Sequence, residues 1–342
     1  MKRIILLEYF HADAVAYRQA AVSLRREGRS MLTALMADFG ALPNISVTTA
    51  LCPQAAADLQ PNTDVLRIPE RVTAAADIAA EVAEAAHGSE THVFLIAPEI
   101  GQVLIRLVRG LRRRNIPVIA PRTEVIEACS DKWQTFQLLQ RSNLPTIPTE
   151  CVENLSRLNL KPTDRCIVKP RDGAGCEGVF ESTPKEIERR LSGSSPGAHQ
   201  GLIVQPLVAG RTLSVAMIGQ GAGHSPLFLP LAEQTITWAS GRPRYRGGTV
   251  PAEGAGRLQS AVTELCHQTA WTLQLEDGYV GIDLLQPEGS DRLLITEINP
   301  RLCTSYLGYR RLTRTNLAEC ILHRAPAPPI TWNDSSVSFK TD

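Results

Sequence analysis

Apolar residues in the first part of the chain fall into short continuous runs separated by amphipathic stretches. Residues 3–9 (RIILLEY) predict a buried strand. In EGRSMLTALMADFGAL, Met31, Leu35, Asp38 and Phe39 recur at spacings of three and four, which predicts a helix. ISVTTAL, THVFLIAPE and the short PVIAP read as strands; DIAAEVAEAAHG and GQVLIRLVRGLRRRN read as helices, the second ending at Asn115. Strands alternating with helices of roughly ten to fifteen residues predict a parallel α/β layer. It occupies about residues 1–125.

After Pro121 the pattern changes. SDKWQTFQLLQRSN opens on a candidate N-cap, Ser130 or Asp131, and continues as an amphipathic helix. Leu144-Pro145 leads into a β-rich portion: CIVKP, a glycine loop, GVFES, a helix PKEIERRLS, a loop SGSSPGAHQG and the strand LIVQPLV. RTLSVAMIG and SPLFLPLAEQTIT add strands, GRLQSAVTELCHQTAWTLQ a helix, and GYVGIDLLQ and RLLITEINP two more strands. The proline-rich stretch from about Arg324, followed by WNDSSVSFKTD, reads as a loose terminus.

Composition narrows the function. The 342 residues suffice for two or three units with cores of their own. A net charge of +1 gives no footprint for nucleic acid or an anionic membrane. Arg106, Arg109, Arg112, Arg113 and Arg114 crowd one helix, where they complement its C-terminal dipole on a solvated face. The eight cysteines form no C-x-x-C pair and no zinc-spaced cluster, as expected of reduced thiols. Glu8 ends the first apolar run after four residues, too early for a signal-peptide core, and a cytoplasmic location is expected.

Candidate chemistry starts at VKPRDGAGCEGV. Gly173, Gly175 and Gly178 spell G-x-G-x-x-G, but Val179-Phe180-Glu181-Ser182-Thr183 reads as a strand and the next helix begins only at Pro184. A dinucleotide fingerprint needs the glycines to open a helix, so that reading fails. A P-loop fails too, because Val179 and Phe180 stand where lysine and a hydroxyl are required. Two readings stay open: a plain glycine-rich hairpin, or a flap whose N–H groups cover a polyphosphate beside Lys169.

Farther on, Gly281-Ile282-Asp283 precedes Glu297-Ile298-Asn299-Pro300-Arg301. Glu297 and Asn299 leave one face of a strand, and antiparallel pairing across PEGSD would add Asp283. Two carboxylates and an amide oxygen suit Mg²⁺ that also holds phosphate oxygens. The alternative, carboxylates on an exposed face, sits poorly with the apolar flanks VGIDLL and LLITEI. Lys132 lies in the first turn of the SDKW helix.

Taken in order, Lys132, Lys169, the glycine loop and the D…E-x-N-P-R set resemble the ATP-grasp superfamily of carboxylate–amine ligases, from about Asp131 to Tyr309. LLEYF, EGRSMLTALMADFGAL, FLIAPE, SDKWQTFQLL, KPRDGAGCEGV and EINPRLCTSYLGYR are similar to the tyramine–glutamate ligase-type enzymes of methanofuran and methylofuran biosynthesis.

The resemblance implies an α/β ATP-grasp fold. A parallel pre-ATP-grasp domain would span 1–125 and an ATP-grasp domain 126–325. The latter would contain a small β-rich lid at about 147–205 and a C-terminal α+β nucleotide- and metal-binding portion, followed by a loose tail at 326–342.

For the site it implies ATP with Mg²⁺ or Mn²⁺. Lys132 and Lys169 would contact the α- and β-phosphates, and Gly173, Gly175 and Gly178 would cover the β/γ region. Gln205, Leu207 and Val208 would read adenine at the hinge, and Asp283, Glu297 and Asn299 would hold the metal. Arg301, with Lys169, would face the reacting centre. One departure stands out: many superfamily members carry an acidic ribose ligand shortly after the hinge glycine, and Gly210-Arg211-Thr212-Leu213 offers none.

The implied reaction converts a carboxylate to an acyl phosphate that an amine attacks, with glutamate and tyramine as the pair. Another amino-acid or peptide acceptor, and a non-catalytic nucleotide sensor, are the alternatives. TSYLGYRR and YRGGTVP read as substrate loops, with Arg246, Tyr306 and Arg310 placed to pair a carboxylate or stack a ring. Cys176 and Cys303 read as small residues beside a ligand rather than redox groups. The expected partners are small-molecule carboxylate and amine substrates, with no nucleic acid and no membrane; a homodimer is left open.

Overall fold

The computed structural model describes residues 2–87, 90–192, 200–322 and 330–340. Among these, the chain builds three sheets. The N-terminal strands are β1 (Lys2–Glu8), β2 (Ile45–Leu51), β3 (Asp64–Arg67), β4 (Thr91–Ile96) and β5 (Val118–Ile119). They pair in parallel in the order β3-β2-β1-β4-β5. Alternation along β1 explains why both faces are covered. Ile4 and Leu6 enter a core with the Val22–Gly40 helix, while Ile5 and Leu7 enter one with the helices Ala75–Ala86 and Val103–Arg112.

A small antiparallel sheet follows: β6 (Glu150–Cys151), β7 (Cys166–Pro170), β8 (Phe180–Ser182) and β9 (Leu202–Pro206), in the order β6-β9-β7-β8. The helix Pro184–Ser192 packs Ile187 onto it. The third sheet contains β10 (Gly210–Ile218), β11 (Leu227–Phe228), β12 (Ala232–Ala239), β13 (Arg242–Val250), β14 (Tyr279–Pro287), β15 (Leu294–Asn299) and β16 (Val337–Phe339). Its path runs β15-β14-β10-β12-β13-β16, with β11 on β10. The Ala255–Leu273 helix covers one face through Leu258, Val262 and Leu265.

One apolar cluster joins the two ends of the chain. It combines Leu32, Leu35 and Phe39 with Ile218, Val250, Tyr279, Tyr306 and Tyr309, all buried. The fold is the mixed α/β one expected from the sequence, with the parallel layer first and antiparallel sheets after it.

Several local expectations need correction. Ser130 is not an N-cap; it ends the preceding helix Thr123–Cys129. Asp131 takes that role for Lys132–Arg141, accepting from the Trp133 and Gln134 N–H groups. SPLFLPLAEQTIT divides into β11 and β12, with Pro230, which has no N–H to donate, between them. The Pro53–Leu59 helix and β3 are additional, too short to imprint a period.

YRGGTVP is not a loop but the end of β13, and TSYLGYRR is the helix Tyr306–Leu312. The tail is not loose throughout, because β16 pairs with β13 at Gly248↔Phe339, Thr249↔Ser338 and Val250↔Val337. Glycine at 247 permits that approach: its φ is +113°, and a Cβ there would collide with the Phe339 carbonyl. Most of the predicted SGSSPGAHQG loop and the proline run lie outside the described residues. No helix among the described residues is long and apolar enough to cross a membrane.

Candidate active site

Between the small sheet and the large one lies a cavity of about 530 Å³, within the usual range for a small-molecule site. β14 and β15 form its acidic wall. Their register sets Gly281 opposite Asn299 and Asp283 opposite Glu297, with a bulge after Asp283. All three polar side chains therefore share one face, and all line the cavity. Asp283 accepts from Gln234 Nε2 at 2.7 Å and from Asn299 Nδ2 at 3.1 Å. Gly281 is required beneath them, because a Cβ there would strike the Cys303 sulfur.

Like charges directly opposite on neighbouring strands are unfavourable. Burial, and then the Glu297 charge, push the Asp283 carboxyl up to about 6. No group of three or more acid, cysteine or histidine side chains gathers among the described residues. Mg²⁺ fits so sparse a donor set, since it is commonly held by one or two carboxylates with the remaining positions left to water and substrate phosphate. The repulsion that Glu297 exerts on Asp283 is what such a cation would offset.

Cations stand beside the acids. Lys132 Nζ lies 3.0 Å from Glu297 Oε1 and donates to the Gly173 carbonyl at 2.5 Å. Lys169, on β7, is buried enough that its ammonium falls to about 8; Lys132 pushes the same way, and Glu297 and Asp283 oppose. Asp131, the N-cap below Lys132, also holds Arg171 in a forked ion pair, which ties the base of the glycine loop to the helix. Gly175 and Gly178 take left-handed backbone conformations, with φ of +60° and +70°. Gly175 lines the cavity directly, whereas Gly173 faces Lys132 and Gly178 lies against Pro170.

The other wall is apolar, formed in part by Ile147, Ile167, Leu207 and Val208. Gln205 is buried and spends its amide on Thr149 Oγ1 at 2.8 Å. The Leu207 N–H is taken by the Arg165 carbonyl at 2.9 Å, so of these two neighbours Val208 has the N–H that can meet a ligand.

Arg301 lines the cavity but is gripped by Glu99, with Nε 3.0 Å from Oε1 and the second terminal nitrogen 3.2 Å from Oε2. Burial alone would lower its pKa; the Glu99 carboxylate more than offsets this and holds the guanidinium charged. The thiols beside the site are unactivated: burial pushes Cys176 up to about 11 and Cys303 higher still.

Three expected substrate residues are not brought here. Arg246 is exposed and donates to Thr237 Oγ1, because alternation along β13 turns its neighbour Tyr245 into the cavity instead. Tyr306 and Arg310 both bind Asp38, at the seam with the Val22–Gly40 helix. A helix in place of the expected loop directs them to that seam. Sequence reasoning missed Glu27, Glu99, Gln234 and Tyr245. Glu99 had a readable signal: it lies just past β4, at the end where parallel sheets present ligand-binding groups. Tyr245 opens the YRGGTVP stretch that reads as a substrate loop, in which Arg246 stands out instead; Gln234 had none.

Residues 129–305 match the family model described as the ATP-grasp domain. The tyramine–L-glutamate ligase of Methanocaldococcus fervens is 24% identical over 340 residues, spanning 99% of this chain and 97% of that protein. An ATP-grasp superfamily protein of Archaeoglobus fulgidus superposes with a TM-score of 0.70 at 20% identity, covering 100% of both chains. The L-amino acid ligase of Bacillus licheniformis gives 0.65 at 15% identity, over 94% of this chain and 73% of that one.

Proposed function

The chain belongs to the ATP-grasp family, and from that premise we propose that it is an ATP-dependent amide ligase joining glutamate to tyramine. The observation that carries the reading is the convergence of Lys132, Lys169, Asp283, Glu297, Asn299 and Arg301 on one cavity, opposite an apolar wall. The full-length likeness to a tyramine–L-glutamate ligase supports the choice of substrates.

A carboxylate is a poor electrophile, and transfer of the terminal phosphoryl group of ATP makes it an acyl phosphate. Lys132 and Lys169 neutralise phosphate charge in a site where burial strengthens each interaction. Mg²⁺, held by Asp283, Glu297 and Asn299, supplies further neutralisation of the transferring group when bound. The glycine loop excludes water that would hydrolyse the acyl phosphate. Arg301, oriented by Glu99, stabilises the oxyanion that forms as the amine attacks.

The test is an ADP-release assay combined with mass spectrometry. ADP and phosphate are expected only when glutamate, tyramine and ATP–Mg²⁺ are all present, with γ-glutamyltyramine as product. An amide from a different acid–amine pair would retain the ligase and replace the substrates. Absence of ADP formation with every acid–amine pair would leave a nucleotide-binding sensor.

A further inference from the structure

The Val22–Gly40 helix supplies one carboxylate that phosphoryl transfer leaves without a task. Among the described residues, Glu27 is the only one before Lys132 that lines the large cavity. The other carboxylates lining it are engaged: Glu181 with Arg165, Asp283 with Gln234 and Asn299, and Glu297 with Lys132. Glu27 has no hydrogen-bond or ion-pair partner among the described residues; the charge that acts on it is Arg301.

Glu27 also lines a second cavity of about 30 Å³, together with Glu8, Phe10, Ile96, Pro98 and Arg301. Glu8 ends β1 and Ile96 ends β4. These neighbouring strands are where the order of the parallel sheet reverses. Open α/β sheets take their ligands in the crevice at that switch point. Glu27, Gly175 and Arg301 line both cavities and so frame the passage between them.

We propose that this passage receives the nitrogen of the acceptor amine, and that Glu27 binds its ammonium and removes the proton that blocks attack. The proposal rests on the amide-ligase reading and deepens it. An alkylammonium has no lone pair. Glu27 takes one proton, giving a neutral amine and a carboxylic acid. The freed pair attacks the acyl carbon, and the carbon–oxygen bond to phosphate breaks. The second proton of the nitrogen leaves with phosphate as hydrogen phosphate, and Glu27 returns its proton to solvent.

Charge also selects the class of acceptor. Glu27 is acidic and unpartnered, Glu8 is already bonded to the His11 backbone N–H and ring, and the cation that lines the passage among the described residues, Arg301, is held by Glu99. An acceptor bearing a carboxylate beside its amine, such as an α-amino acid, finds repulsion there, whereas a simple amine does not.

Burial pushes the Glu27 carboxyl up to about 7, with Arg301 opposing, which matches a base working near neutral pH. The other titratable groups facing it are the Cys176 thiol and the Tyr245 phenol, both raised by burial and neutral, and, across the small cavity, Glu8 with the His11 imidazole bonded to it.

Hydroxylamine separates the steps, because it is uncharged at neutral pH and traps an acyl phosphate as a hydroxamate without a base. With ATP, Mg²⁺ and L-glutamate, the wild type is expected to form hydroxamate with hydroxylamine and amide with tyramine. Glu27→Gln should keep hydroxamate formation within about twofold while losing amide formation about 100-fold or more, the scale of general-base removal. Wild-type kcat/KM should favour tyramine over tyrosine by roughly tenfold or more, as an unpaired buried carboxylate demands.

Amide formation retained in Glu27→Gln would overturn the base. Loss of hydroxamate as well, in a variant with unchanged circular dichroism, would assign Glu27 to the acid substrate instead and overturn the acceptor role. Equal use of tyrosine would overturn the selectivity. Absence of hydroxamate from the wild type with every amino acid tried would remove the ligase reading itself.

Discussion

Asp283 carries a charge that the folded protein disfavours. Its carboxyl is raised from 3.8 to about 6, so the native state binds a proton more readily than the unfolded chain between those values. Stability therefore falls as pH rises through that window, and the cost is fully present above it. Asp283→Asn is expected to stabilise the metal-free protein by on the order of 1–3 kcal/mol near pH 8, with the gain shrinking as pH falls through about 6. The same variant should lose Mg²⁺-dependent ADP formation. Urea unfolding at the two pH values, beside the ADP assay, checks both; a variant destabilised at the higher pH would contradict the reading. The trade is the one expected where a site is kept charged for function.

At the scale of elements, β13 and β16 govern what the end of the chain does. Phe339 is buried with its ring against Gly248 and Gly308, and Gly247 lets the two backbones approach. Phe339→Ala should cost about 3–5 kcal/mol, the usual penalty for emptying a buried aromatic site. A shift in the urea midpoint measures it, and a loss below about 1 kcal/mol would return the tail to a dispensable role. Composition around β16 is polar and proline-rich, so nothing local distinguishes it from a disordered end; only its partner strand does. By contrast β7, β14 and β15 were legible, because their apolar alternation and the turns between them are properties of the chain itself.

Across the whole molecule, Asp38 fastens the Val22–Gly40 helix to the far end of the chain. It accepts from Tyr306 Oη at 2.7 Å and from Arg310 at 2.8 and 2.5 Å, while its backbone carbonyl accepts from Asn316. Asp38→Ala leaves a half-buried guanidinium and a buried phenol without their acceptor. A loss of about 2–4 kcal/mol is expected, somewhat below that for breaking a fully buried pair. Denaturant unfolding reports the loss. Because Glu27 lies on the same helix, amide formation should fall more than hydroxamate formation in this variant. Asp38 left a trace in the sequence: it is the one acidic residue among Met31, Leu35 and Phe39 at helical spacing.

What the chain determined by itself was whatever is periodic or close in sequence. The two-residue repeat of a strand puts Glu297 and Asn299 on one face, and a short turn brings Asp283 beside them. The alternation of short strands and helices dictated the parallel layer, and the order of lysines, glycines and acids pointed to the family. Tertiary structure alone decided the partners of Arg301 and Arg310, which lie 202 and 272 residues away. It also brought Glu27 into the cavity, gave Tyr245 rather than Arg246 the inward position, and made a strand of the tail. The reason is physical. A side chain's partner across such a seam depends on how two layers pack, and no local period records that angle or distance.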